Sequence, residues 1–170
     1  MFAKTSWRNT VFFLIAVVVV ALDQFTKFLV KNGIPLNGSW PETGFFRITH
    51  FRNTGAAFSI LQDSRILLSI ISTVGALAVL YTALIISRRF VFLRWKSSTI
   101  ALGLLLGGTI GNWIDRVFIG YVTDFISVGK FPDFNIADSG LVVGSILLAV
   151  NLFRAFETER PHESTSAADS

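Results

Sequence analysis

Four long apolar stretches, Val11–Val30, Ile66–Ser87, Ser98–Ile119 and Phe134–Phe153, restrict this chain more than any other feature. Each is close to the roughly 20 residues with which an α-helix crosses about 30 Å of hydrocarbon. The rest of the composition agrees. Apolar and aromatic residues make up 52% of the 170 positions and the mean hydropathy is +0.60, too hydrophobic for an ordinary soluble domain and too short for more than one. The expected fold is a membrane all-α bundle of four transmembrane helices, forming a single domain over residues 1–156.

The first stretch has the look of a secretory signal peptide, since Lys4 and Arg8 precede Val11–Leu22. No small-x-small exit follows, however. Asp23 and Gln24 lead into Phe25–Val30, which continues the hydrophobic segment, so it reads as a true span. Cysteine is absent, which removes disulfides and thiolate chemistry. The net charge of +4 does not mark a nucleic-acid binder, because the bases flank the spans.

Lys and Arg favour the cytoplasmic side in short loops. The tight connection after the second stretch carries Arg88, Arg89, Arg94 and Lys96 and is therefore expected inside. Both termini are then cytoplasmic, in keeping with Lys4, Arg8, Arg154 and Arg160, while Lys31–Arg65 and Gly120–Asp133 face outward. Lys31, Arg47, Arg52, Arg65 and Lys130 run against this trend. In this orientation Asp23, Lys27, Asn112, Asp115 and Arg116 fall in the outer parts of their spans, Asn135 and Asp138 at the outer start of the fourth, and Asp124 just beyond the third. Ionisable groups in hydrocarbon are costly and face inward where they occur, so this convergence at one depth points to a site.

In the first outer loop, residues 31–65, Phe45–Arg52 alternates partly between aromatic and polar residues, which predicts short strands on the membrane face. Trp40, Phe45 and Phe46 are candidate interface anchors. The segment Glu157–Ser170 is polar and rich in Ser and Ala and is expected to be a disordered cytoplasmic tail.

Asp23 and Lys27 are four residues apart, acid first, the better order for an ion pair on one helix face. They either fasten this helix to its neighbours or touch substrate. In the third stretch Gly108, Asn112 and Arg116 share one stripe. Small residues permit close helix packing, and polar ones bond across it. Arg116 offers a fork of donors for a carboxylate or a polar substrate group. Asp124 and Asp138 are both set among apolar residues. They are either unrelated acids ending helices or turns, or, if the fold brings them within about 3 Å, a pair sharing one proton as in aspartic proteases. Other hydrolytic chemistries lack parts: His50 and His162 form no zinc motif, and no serine nucleophile turn or phosphate loop is present.

Five blocks of this sequence resemble the lipoprotein signal peptidases, the type II signal peptidases of bacteria. They are Asp23–Lys27, Asn53–Phe58, Gly107–Arg116, Val122–Phe125 and Phe134–Ser139, in that order along most of the chain. The resemblance implies that Asp124 and Asp138 are the catalytic dyad, with Asn53, Asn112, Arg116 and Asn135 lining or supporting the site, and Asp23, Lys27 and Gly108 assisting. It implies no cofactor or metal. The implied substrate is a prolipoprotein held in membrane lipid, cut before a cysteine that carries diacylglycerol. It further implies an enzyme of the bacterial inner membrane with its site towards the outer face; a monomer is expected. The competing readings are a small transporter or proton or cation relay built on Asp23, Asp115, Asp124 and Asp138, and a structural assembly factor.

Overall fold

In the computed structural model, residues 2–55 and 64–159 are described. All four apolar stretches are helical: α1 (Phe2–Gly33), α2 (Arg65–Leu84), α3 (Lys96–Ile114) and α4 (Ile136–Glu159). A 3-10 turn, Ile86–Arg88, follows α2, and a π turn, Asp115–Ile119, extends α3 to the end of the expected stretch. The helix α4 starts two residues later than expected and runs through Glu159, so Glu157–Glu159 are helical rather than tail. Residues 160–170, the rest of the expected tail, lie outside the described residues, as do Ala56–Phe58 of the second sequence block.

Three helical segments, Trp7–Gly33, Arg65–Arg88 and Ile136–Thr158, are long and apolar enough to cross a membrane. The helix α3 owes its lower hydropathy to serines, glycines and Asn112, and it occupies the middle of the bundle. Leu102, Gly103, Leu106, Gly107, Gly108, Gly111 and Asn112 are all buried in it. Its neighbours α1, α2 and α4 turn apolar side chains outward, among them Leu14, Val17, Val74, Leu77, Val142 and Ile146. A bundle in water would hide these residues; one in hydrocarbon presents them to acyl chains while each helix closes its own backbone hydrogen bonds.

Close approach to α3 depends on the missing side chains of two consecutive glycines. A Cβ at Gly107 would lie 2.7 Å from Val19 Cβ and 2.8 Å from the Ala16 carbonyl on α1. At Gly108 it would collide with the Ala137 carbonyl on α4. The sequence stripe through Gly108 is thus a packing seam, and it sets the depth at which the first turn of α4 rests.

Above one end of the bundle lies a three-stranded antiparallel sheet in the order β1 (Ser39–Trp40), β2 (Phe46–Asn53), β3 (Val122–Val128). The strand β2 answers the expectation for Phe45–Arg52. The strand β3 extends the β module beyond the first outer loop, to which the sequence reading confined it. The sheet is tied to the end of α1 by His50 Nδ1 against the Ile34 carbonyl at 2.8 Å and by Asn37 N–H donating to the His50 carbonyl at 2.8 Å. Trp40, Phe45 and Phe46, the candidate anchors, are all exposed on it.

Polar side chains collect at both ends of the bundle and are separated by an apolar cluster of Phe12, Ala16, Ala83, Leu102 and Leu106. The sheet end holds most of the acids.

Candidate active site

The site starts from the way α4 begins. Asn135 caps the helix: its Oδ1 accepts from the Asp138 N–H at 2.9 Å, and Asp138 Oδ2 accepts from the Asn135 N–H at 3.2 Å. This reciprocal pair is a capping box with Asn and Asp in its two positions, and it fixes Asp138 over the first turn, where backbone N–H groups favour a negative charge.

The amide of the same Asn135 reaches the other acid. Its Nδ2 donates to Asp124 Oδ1 at 2.7 Å. Asp124 comes from β3, and its Oδ2 accepts from Asn53 Nδ2 at 2.9 Å. Asn53 ends β2, which pairs with β3, so one carboxyl is held by the sheet and by a helix cap together. Asp138 Oδ1 in turn accepts from Asn112 Nδ2 on α3 at 2.7 Å.

The direction in which Asn112 points is dictated by a buried cation. Lys27 is 1% exposed, yet its ammonium has three acceptors: Asp23 Oδ2 at 2.8 Å, Asp115 Oδ2 at 3.1 Å and Asn112 Oδ1 at 3.1 Å. With its carbonyl oxygen towards Lys27, and receiving Asn135 Nδ2 at 3.2 Å as well, the Asn112 amide must aim its NH₂ at Asp138. A buried charge persists only when paired and hydrogen-bonded, and all three groups here meet that condition. Asp23 Oδ1 also accepts from the Ala137 N–H at 2.9 Å, placing a second carboxylate on the α4 terminus. Asp23 and Lys27 are both sealed from the surface.

Asp115 is the residue whose part the sequence reading missed. Fully buried, it accepts from the Thr123 N–H at 3.0 Å, so it grips β3 one position before Asp124. Its charge in a span was legible; its hold on the strand depends on the π turn, which leaves no sequence signature. Gln24 joins it from α1, with Nε2 3.0 Å from the Gly111 carbonyl and 3.1 Å from Asp23 Oδ2. Arg65 was likewise overlooked. It donates from Nε to the Arg116 carbonyl at 3.0 Å and from Nη2 to the Val117 carbonyl at 2.5 Å, satisfying carbonyls that the π turn exposes.

Arg116 belongs to that turn. Its guanidinium reaches Ser72 Oγ and the Gly55 carbonyl, each at 3.4 Å, and lies within electrostatic range of Asp138, Asp124 and Asp115. Its Nε is buried without a hydrogen-bond partner among the described residues. Gly108 touches neither acid; it acts through the seating of α4. The structure therefore joins Asp23, Lys27, Asn53, Asn112, Asp124, Asn135 and Asp138 in one hydrogen-bonded network, with Arg116 beside it.

Burial pushes the Asp124 carboxyl up to about 7, and the neighbouring charge of Asp138 acts in the same direction; the amides of Asn53 and Asn135 and the charge of Lys27 oppose it. One acid of the pair is thereby able to hold a proton near neutrality, and the other lies over a helix N-terminus. Among the described residues no cluster of His, Cys, Asp and Glu is grouped to hold a metal ion.

Lipid-facing helices around a polar site, with the buried Asp124 and half-buried Asp138 carboxyls joined through one asparagine, are the features of a membrane aspartic peptidase. Comparison with known proteins makes the family specific. A family model described as signal peptidase (SPase) II matches residues 15–154. The lipoprotein signal peptidase of Dehalococcoides mccartyi is 48% identical over 139 residues, covering 82% of this chain and 86% of the relative. That of Enterococcus faecalis is 40% identical over 146 residues, covering 84% and 87%. A bacterial membrane enzyme solved by the in meso method at 2.3 Å superposes with a TM-score of 0.77 at 36% identity, over 89% of this chain and 93% of that one. A second such enzyme, at 1.9 Å, gives 0.70 at 38% identity, over 83% and 91%. The chain belongs to the signal peptidase II family.

Proposed function

We propose that Asp124 and Asp138 are the catalytic dyad with which this signal peptidase II removes signal peptides from prolipoproteins. The observation that carries this reading is Asn135, which donates to the Asp124 carboxyl from its side-chain amide and to the Asp138 carboxyl from its backbone N–H, and so fixes the two relative to each other and to the start of α4. Asp138 is the ionised member and takes a proton from water as the water oxygen attacks the scissile carbonyl carbon. Asp124 is the protonated member and gives its proton to the carbonyl oxygen. On collapse the C–N bond breaks, Asp138 passes its proton to the leaving nitrogen, and Asp124 regains one from the tetrahedral hydroxyl. Lys27, through Asn112, holds Asp138 in place. Arg116, whose Nε has no partner among the described residues, orients a carbonyl of the substrate.

The substrate is a prolipoprotein whose cysteine after the cut carries diacylglycerol. A lipid-modified peptide lies in the membrane with its scissile bond near the interface, and a dyad under a surface sheet is within its reach. The four helices cross the bilayer with both termini cytoplasmic and the sheet outside. Support comes from the basic connection holding Arg88, Arg89, Arg94 and Lys96 at the end opposite the sheet. The helix α3 spans as the polar centre that the other three shield. A monomer suffices, since every partner of the dyad described above comes from one chain.

The test is cleavage of a diacylglyceryl-modified prolipoprotein by purified Asp124→Asn and Asp138→Asn. Each variant is expected to fold and to lose at least about a thousandfold in rate, the scale of losing an acid or base together with its partner's role. Normal processing by either would overturn the assignment.

A further inference from the structure

At the end of the bundle remote from the dyad, three arginines converge from three elements. Arg8 on α1 donates from Nη2 to Ser87 Oγ at 3.0 Å, and buried Ser87 donates onward to the Ala83 carbonyl at 2.6 Å. This seats the guanidinium, half-buried, in a cleft with Asn9, Phe12, Ala83, Thr99 and Leu102. Arg88, in the turn after α2, and Arg94, in the 3-10 turn Phe92–Arg94, both bear on the charge of Arg8 and are exposed. Ion pairs among the described residues join Lys27 and Lys31 to Asp23 and Asp115, and none reaches these arginines.

Membrane orientation requires cations near span ends, but it does not require them to face one another. Three permanently charged groups brought together with no acid paired to them among the described residues repel each other, and their forked donors match an oxyanion. Between Arg88 and Arg94 the chain exposes Phe90 at 53% and Val91 at 63%, with Ile85 at 43% just before. A soluble anion gains nothing from those side chains, whereas an amphiphile meets both halves of the surface.

We propose that Arg8, Arg88 and Arg94 form a binding site for the phosphate of an anionic phospholipid in the leaflet opposite the dyad. The site rests on the reading that the helices cross a bilayer, but not on the chemistry of the aspartates. The ligand's phosphate sits among the guanidiniums, and its acyl chains lie along Ile85, Phe90 and Val91.

The experiment uses the full chain in neutral detergent, with phosphatidylglycerol or phosphatidylcholine added at equal mole fraction, and reads retained lipid by native mass spectrometry and thermal unfolding in parallel. Wild type is expected to retain phosphatidylglycerol selectively and to unfold at higher temperature with it. The double variant Arg88→Gln/Arg94→Gln is expected to bind it about 25-fold more weakly, each basic side chain at an anionic surface contributing roughly a factor of five. It should still cleave lipoprotein at the wild-type rate. If the double variant does not fold, Arg94→Gln alone is expected to lose about fivefold. Equal retention of phosphatidylglycerol by wild type and variant overturns the proposal, and so does an equal thermal shift from inorganic phosphate, which would reassign the site to a free anion. An enzyme that cleaves normally and ignores phosphatidylglycerol sinks this inference while leaving the dyad untouched.

Discussion

At the scale of single residues, the proposed chemistry depends on one proton at Asp124. Because burial raises this carboxyl to about 7, its acidic form declines through neutrality. Cleavage is therefore expected to fall about tenfold per unit as pH rises above about 7, measured as kcat/KM across a buffer series. The same shift has a sign for stability. The folded chain keeps the Asp124 proton where the unfolded chain, near the ordinary value of 3.8, has released it. Its stabilising contribution is complete below that value and is lost as pH rises to about 7. Melting temperatures taken from pH 5 to 8 should decline for wild type and lose this component in Asp124→Asn. Lys27 offers the opposite experiment: Lys27→Met strands Asp23 and Asp115 in the interior and is expected to cost about 3–5 kcal/mol, read from denaturant or thermal unfolding. The acids of this network were legible in the sequence because charge within an apolar stretch is costly. Their wiring was not, since the choice of Asn112 or Thr123 as a partner is made only when distant segments meet.

Among elements, the long helices were readable from apolar length alone, while the pieces that aim the site were not. The strand β3 is buried along nearly its whole length, so Val122–Val128 lacks the alternation that revealed β2. The π turn carrying Asp115 and Arg116 is a change of pitch inside one continuous apolar stretch. The glycine stripe of α3 was visible, but its consequence for α4 emerges only from the collision a side chain at Gly108 would make with Ala137. Gly108→Val is expected to push the first turn of α4 outward. A shift near 1 Å at the dyad should lower the cleavage rate by about a hundredfold, with helix content by circular dichroism unchanged. Gly75, which has only ordinary contact with Thr109 of α3, is a control at which Gly→Ala should leave the rate as it is.

For the molecule as a whole, the bundle reverses the layout of a soluble domain, burying Asp23, Lys27 and Asp115 near one end and turning apolar side chains outward, as a bilayer solvent demands. Membrane orientation can be tested without background labelling because the chain has no cysteine. In intact cells an impermeant maleimide is expected to label Lys130→Cys and to spare Arg89→Cys until the membrane is opened; the reverse pattern would invert the proposed topology. Asn135 starts a helix and links two acids, one carboxyl through its side-chain amide and the other through its backbone N–H. Any momentary fraying of that terminus disconnects the pair, so under the proposed dyad the fraction of molecules competent to cut is expected to follow a local unwinding equilibrium. Hydrogen–deuterium exchange at the Ala137 and Asp138 amides would then report on catalytic readiness in the absence of substrate.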